Sequence, residues 1–210
     1  MLYREFVPED LEQCVRLAAQ AWPVREHISK EKDSWRVFEP YVGIGRAWSN
    51  WTCVACLDSG EVIGLVFGDI RGVSGSSSIR RMVRSEVAAF GGIAIGRFGR
   101  LERTVPLIWN FMMTELKLIV NRPEADAEIM LLLLDEKYRG KGIGRELVDR
   151  FASAARGHGA KKMSVYTDDQ ASNWRFYESY GFARARLFYD NWSSYFEGKP
   201  STGIRYVMGL

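Results

Sequence analysis

The sequence predicts an α/β protein, leaning to α+β, built on a mixed sheet. Two patterns carry that expectation. Residues 127 to 167 read as strand, glycine-rich loop, helix and strand, a unit whose strands normally lie parallel with a right-handed crossover. Residues 51 to 70 read as a hairpin, WTCVACL and VIGLVFGDI around the turn DSGE. A chain of 210 residues fits one domain, alone or with an insertion, and is long enough to bury a sizeable core.

The elements follow in order. A short strand at Leu2 to Phe6 leads into a helix whose stripe is Leu11, Val15, Leu17 and Ala18. Pro8, Glu9 and Asp10 suit its first turn, and Pro23 ends it. The aromatic-rich stretch after it resists assignment. Beyond the hairpin, GVSGSSS (72 to 78) reads as a flexible linker. Two helices are expected next. One carries Ile79, Met82, Val83, Val87 and Phe90. The other carries Leu107 to Ile119, with Thr104 as cap, Pro106 in the first turn and Asn121 and Pro123 at the end. Residues 71 to 126 are therefore an expected helical insertion within a single domain spanning 1 to 210. Glu128 to Leu134 is a strand apolar on both faces. A helix from Ile143 to Arg156, a strand at 162 to 167, a short helix at 171 to 180 and strands near 183 to 190 and 203 to 209 complete the reading.

Composition narrows the function. A formal charge of +3 is too mild to argue for nucleic acid. Three cysteines make no disulfide framework and point to a reducing compartment. The N-terminus lacks a basic start followed by an apolar run. The longest uncharged stretch worth testing as a membrane span, VAAFGGIAIG, is far shorter than the roughly 20 residues a span needs. The expectation is a soluble cytoplasmic protein without a membrane or nucleic-acid partner; a homodimer is compatible.

The chemistry concentrates at EKYRGKGIGRELV (136 to 148). A helix N-terminus leaves N–H groups unpaired and carries about half a positive charge, which makes it an anion site. Gly140, Gly142 and Gly144 let an anion approach the backbone, and Arg139, Lys141 and Arg145 add cations. The bland alternative is a soluble turn. No Gly-Lys pair here precedes Ser or Thr, so a Walker loop is excluded. The dinucleotide fingerprint fails where its third glycine would fall on Leu147, although Asp168 and Asp169 sit where a ribose-binding acid would follow.

The pattern R-x-x-G-x-G (Arg139 to Gly144), with NWRFYESYGF (173 to 182) downstream, resembles the GNAT superfamily of acyl-CoA-dependent N-acetyltransferases. The resemblance covers about three quarters of the chain and implies a mixed, mostly antiparallel twisted sheet flanked by helices; the insertion between the third and fourth strands departs from the family, where these strands usually meet in a tight turn. The resemblance also implies acetyl-CoA as cosubstrate and no metal. Loop residues Arg139, Gly140, Lys141, Gly142, Ile143, Gly144 and Arg145 would hold the pyrophosphate. Strand residues Leu132, Leu133 and Leu134 would pair with pantetheine, and Asn173 would contact the same arm. Tyr177 fills the tyrosine position that protonates the leaving thiolate; its bland alternative is a satisfied core tyrosine.

Amine acetylation also needs a base. An alkyl ammonium with a pKa near 10.4 costs about 4.6 kcal/mol to deprotonate at pH 7. Glu128 lies eleven residues before Arg139, where some histone-type members of the family carry a base glutamate. Strand alternation sets it on one face with Met130, Leu132 and Leu134, partly desolvated, where a carboxyl gains basicity. Alternatively it sits at the strand mouth, solvated or paired with an arginine of the insertion.

Other constellations are weaker. Cys53 and Cys56 have a spacing that puts them on opposite faces of a strand. His27 and His158 lack a nucleophile or ligand set, and no G-x-S-x-G elbow occurs. Residues 71 to 103 hold seven arginines against two glutamates, as a solvated lid or as a recogniser of an anionic acceptor. Trp35, Tyr41 and Trp48 are candidates for an acceptor wall. The expected function is acetyl transfer to a primary amine of a small molecule or peptide. The alternatives are a non-catalytic acyl-CoA-binding regulatory module on the same fold and a nucleotide-binding βαβ protein.

Overall fold

A computed structural model of the chain describes residues 1–22, 34–73, 101–170 and 174–210. The expected helix over Ile79 to Phe90, most of the arginine-rich stretch, His27 and Asn173 lie outside these residues. The described strands are β1 (Leu2–Arg4), β2 (Trp51–Cys56), β3 (Val62–Ile70), β4 (Ala127–Leu134), β5 (Lys162–Asp168), β6 (Ala183–Tyr189) and β7 (Thr202–Gly209). The described α-helices are α1 (Leu11–Ala21), α2 (Phe38–Ala47), α3 (Leu101–Val120), α4 (Ile143–Gly157), α5 (Trp174–Tyr180) and α6 (Asn191–Glu197).

Seven strands form one sheet in the order β1-β2-β3-β4-β5-β7-β6. Every pairing is antiparallel except β4 with β5, the two strands of the β-loop-α-β unit. The sheet is thus mixed and mostly antiparallel, flanked by helices.

Each face of the sheet has its own core. On one face α4 buries Leu147, Val148, Phe151 and Ala155 against Ile63, Val66, Ile129 and Val165. On the other, Val15 and Leu17 of α1 and Phe38 and Val42 of α2 cover Val54, Leu65, Phe67, Leu131 and Leu133. Cys53 belongs to the first core and Cys56 to the second, as their spacing requires. The entry to α1 is fixed by Asp10, whose carboxylate accepts from Arg4 at 2.6 and 2.8 Å and from the Val7 N–H at 2.9 Å. Burial alone would raise the Asp10 carboxyl, but these bonds outweigh it and hold it below the ordinary value.

Strand β4 departs from simple alternation. Phe67 pairs with Leu131 and Gly68 with Ile129, so Met130 is an extra residue, a β-bulge. Ile129 therefore packs with α4, while Leu131 and Leu133 turn to the opposite face. Glu128, next to Ile129, does not share a face with Leu132 and Leu134 as alternation predicts. The bulge reverses the order between them.

Helix α3 begins earlier than Thr104, so Pro106 lies inside it rather than in its first turn. Asn121 closes it by donating its N–H and its Nδ2 to the Lys117 carbonyl, at 2.9 and 2.8 Å. It packs on α6, a helix the sequence reading did not anticipate. Asp190 and Gly198 at the two ends of α6 were the legible signals: the Asp190 carboxylate accepts from the Ser193 N–H, and Gly198 takes φ 68°.

Gly68 makes room for Phe151, whose ring would lie 2.3 Å from any Cβ placed there. Gly68→Ala should destabilise the fold by about 1–3 kcal/mol, seen as a lower urea midpoint at unchanged slope.

Candidate active site

The parallel pairing of β4 with β5 covers only Ala127, Glu128 and Ile129 against Met163, Ser164 and Val165. Beyond these residues β4 continues to Leu134 bonded to β3 alone, and β5 continues to Asp168 bonded to β7 alone. The strands part, and their facing backbone edges open onto a cleft. A cavity of about 80 Å³ lies at the fork. Residues 129 to 132 form one wall and residues 165 to 168 the other. Tyr41, Tyr177, Trp22 and Trp192 close it, with Glu197 beside them.

At the far end of β4 the chain turns through the glycine loop. Asp135 accepts from the Lys137 N–H at 2.9 Å and donates its own N–H to the Ile63 carbonyl, which fixes the corner. Gly140 and Gly142 take φ 74° and 82°, a region where a Cβ is strained. Gly142 caps α4, and the N–H groups of residues 140 to 145 donate to no other described residue. Lys141 rests over the Tyr138 ring and Arg145 over the Tyr180 ring, at 4.8 and 4.9 Å. Arg139, Lys141 and Arg145 are all exposed. The loop is a row of unpaired donors at a helix N-terminus, rimmed by cations, and suits an extended polyanion.

The sequence model of the acetyltransferase (GNAT) family matches residues 11–182. The chain belongs to this family. Solved structures agree on the fold. Ard1 from Thermoplasma volcanium is 17% identical, covering 100% of this chain and 97% of its own, with a TM-score of 0.56. The ribosomal-protein-S18-alanine N-acetyltransferase from Escherichia coli is 12% identical, covering 100% and 93%, with a TM-score of 0.56. The IAA acetyltransferase from Bacillus cereus is 19% identical, covering 100% and 99%, with a TM-score of 0.52. A search of curated protein sequences returned no match.

Within this GNAT fold the expected site residues divide into two groups. Leu132 to Leu134 lie on the open edge of β4, and Arg139 to Arg145 form the loop beyond it. Tyr177 lies in the cavity, 8% exposed, among the rings of Phe176, Phe182 and Tyr206. Its hydroxyl bonds no other described residue. Burial pushes its phenol above the ordinary value, and the charges of Asp168 and Tyr206 add to that.

Glu128 stands apart. It lies in the paired part of β4, outside the cavity wall. One oxygen accepts from Arg205 and the other pairs with Arg122 at 3.0 Å, while Arg205 also donates to the Leu118 carbonyl at 2.9 Å. Both oxygens are taken by guanidinium groups, and Arg122 belongs to the insertion. This geometry matches the alternative of an ion-paired acid rather than that of a base facing the acceptor.

Of the three aromatic candidates only Tyr41 reaches the cavity. Trp35 lies under Arg16 at 4.3 Å, and Trp48 is absent from the cavity wall. Sequence reasoning missed Trp22, Tyr166 and Trp192. Among the described residues no group of three metal-ligating side chains occurs, and no helix is long and apolar enough to cross a membrane.

Two substitutions test these assignments. Gly142→Ala forces a left-handed side chain at about 1–2 kcal/mol and should raise the acetyl-CoA Kd in calorimetry. Glu128→Ala leaves Arg205 buried and unpaired and should cost about 3 kcal/mol of stability by chemical denaturation.

Proposed function

We propose that the chain is an acetyl-CoA-dependent N-acetyltransferase, a single catalytic domain that carries an acetyl group to a primary amine of a small molecule or peptide. The observation behind this reading is the parting of β4 and β5. It leaves an unpaired strand edge between an anion-binding loop and a cavity that holds a buried tyrosine. Each fits one part of the cosubstrate. Loop amides and cations from Arg139 to Arg145 face the pyrophosphate, and Leu132 to Leu134 offer backbone groups to the amide-bearing arm. The cavity takes the acyl end. Asn173 is proposed from the sequence motif alone. When bound, acetyl-CoA supplies an activated acyl group, and the chain supplies orientation, exclusion of water and proton control.

Tyr177 is the proposed acid. Held above its ordinary value, its phenol stays protonated at neutral pH and donates toward the sulfur as negative charge develops there. Transfer from such a phenol to a free thiolate, with pKa about 8.5, would run uphill in water. A dry cavity raises the thiol as well, which offsets part of the rise of the phenol. The three cysteines, all free and buried, suit a reducing cytoplasm.

Thiol release from acetyl-CoA, titrated against alkyl amines and N-terminal peptides, tests the reading. Release should depend on the amine. Tyr177→Phe should lower kcat by about 100-fold while leaving the acetyl-CoA Kd nearly unchanged. Acetyl-CoA binding without thiol release for any amine would instead favour a regulatory acyl-CoA-binding module.

A further inference from the structure

The cavity wall also contains Tyr166, which the mechanism so far leaves idle. Tyr166 is on β5, just past its last pairing with β4, where the strands have begun to part. Its hydroxyl donates to the Asp190 carboxylate. Asp190 is 0% exposed and is the N-cap residue of α6. Its other oxygen accepts from Thr114 of α3 at 2.8 Å and from the Ser193 N–H at 3.1 Å. No described cation pairs with it. A fully buried carboxylate whose donors are all neutral is costly unless something else uses the charge.

The surroundings point the same way. Around this pair in the cavity wall are Asp168 on β5, Tyr41 on α2, Tyr177 on α5 and Glu197 on α6, and the charge of Glu115 of α3 acts on Tyr41. Among the described cations, the Arg205 guanidinium of β7 lies 5.9 Å from the Tyr166 ring centre and is committed to Glu128. Lys117 of α3 is turned to the Tyr189 carbonyl and Asn191. Among the described residues, the cavity is lined by aromatic rings, by aliphatic side chains of β4 and β5, by Thr167 and Ser193, and by the acids Asp168 and Glu197, with no lysine or arginine. Burial first, then Asp190 as charge and as hydrogen-bond acceptor, holds the Tyr166 phenol well above its ordinary value. The hydroxyl thus stays protonated and bonded to Asp190, on a residue that forms part of the cavity wall.

We propose that Tyr166 and Asp190 form the proton relay that activates the acceptor, and that the acceptor enters as a cationic amine. The proposal rests on the acetyltransfer reading above. An ammonium hydrogen donates to the Tyr166 oxygen as the Tyr166 proton passes to Asp190. This leaves a neutral amine, an intact phenol and a protonated carboxyl. The nitrogen lone pair then forms the N–C bond as the C–S bond breaks. The second nitrogen proton replaces the one Tyr177 gives to the sulfur, and Asp190 returns its proton to solvent. Per turnover one proton ends on the thiol and one in solution. Tyr166 is the catalytic residue, and Asp190 acts through it.

The test compares wild type with Tyr166→Phe, using the most active alkyl amine of the panel, from about pH 6 to about pH 10. At neutral pH the variant should lose about 100-fold in kcat/KM, with unchanged acetyl-CoA affinity. The deficit should shrink as pH rises toward the amine's pKa of about 10.4, because free amine needs no relay. A hydrazide, already neutral at pH 7, should be spared at every pH. Asp190→Asn keeps an oxygen for the α6 cap and, where it folds, should follow the same profile. A deficit constant with pH and equal for both acceptors would mean a structural hydroxyl and would overturn the relay. No thiol release by wild type with any amine would overturn the acetyltransfer reading, and the relay with it.

Discussion

The parting of β4 from β5 is the constraint on which the site depends. Two parallel strands that stayed paired to their ends would satisfy each other's backbone groups and leave nothing for a ligand. Here pairing stops after Ile129 and Val165. Each strand remains bonded on its outer side, to β3 and β7, so the opening does not unravel the sheet. The cost is a set of backbone groups open to the cleft, which water or an extended ligand satisfies. The bulge at Met130 coincides with the fork, and the extra residue increases local twist where β4 must turn from its neighbour.

The fork also sorts charge. On its paired side lies Glu128, clamped by two arginines that tie β4 to β7 and to the insertion. On its open side lies Tyr166, backed by a carboxylate that no described cation meets. The two acids sit at similar depth and differ in their partners. Glu128 has its oxygens committed to guanidinium groups and fastens β4 to β7 and to the insertion. The described donors to Asp190 are all neutral, so no described positive charge offsets its own. Burial alone does not assign a role to an acid; the sign of its neighbours does.

Much of this was legible in the sequence, where the signal was local. The hairpin, the β-loop-α-β unit and the glycine loop depend on short-range periodicity and turn chemistry, and the structure places them where the pattern puts them. What failed was non-local. A one-residue bulge leaves no mark in the run MLLLL, yet it moves Glu128 off the face predicted for it. Helix α6 is short, and DNWSSYFEG has its cap signals but little periodicity. Tyr166 reads as one strand residue among many. Its importance comes from Asp190, 24 residues later, and from Thr114, 52 residues earlier, which no spacing rule connects.

The insertion gains a more definite place from these contacts. Its helix α3 is fastened to the sheet through the Leu118 carbonyl and through Lys117 on the Tyr189 carbonyl, and to α6 and its cap through Thr114 and through Lys117 on Asn191. Thr114 is the telling contact. It donates to Asp190 and accepts from the Trp192 N–H at 2.8 Å, so one hydroxyl joins the insertion to the buried acid and to the start of α6. Trp192 in turn stacks parallel to Tyr41 with ring centres 6.3 Å apart, and both rings line the cavity. A shift of α3 along its axis would therefore move a wall of the cavity and a donor to Asp190 together. In this fold the insertion does more than lengthen a turn between two strands, because it supplies part of the frame that keeps a buried negative charge behind Tyr166.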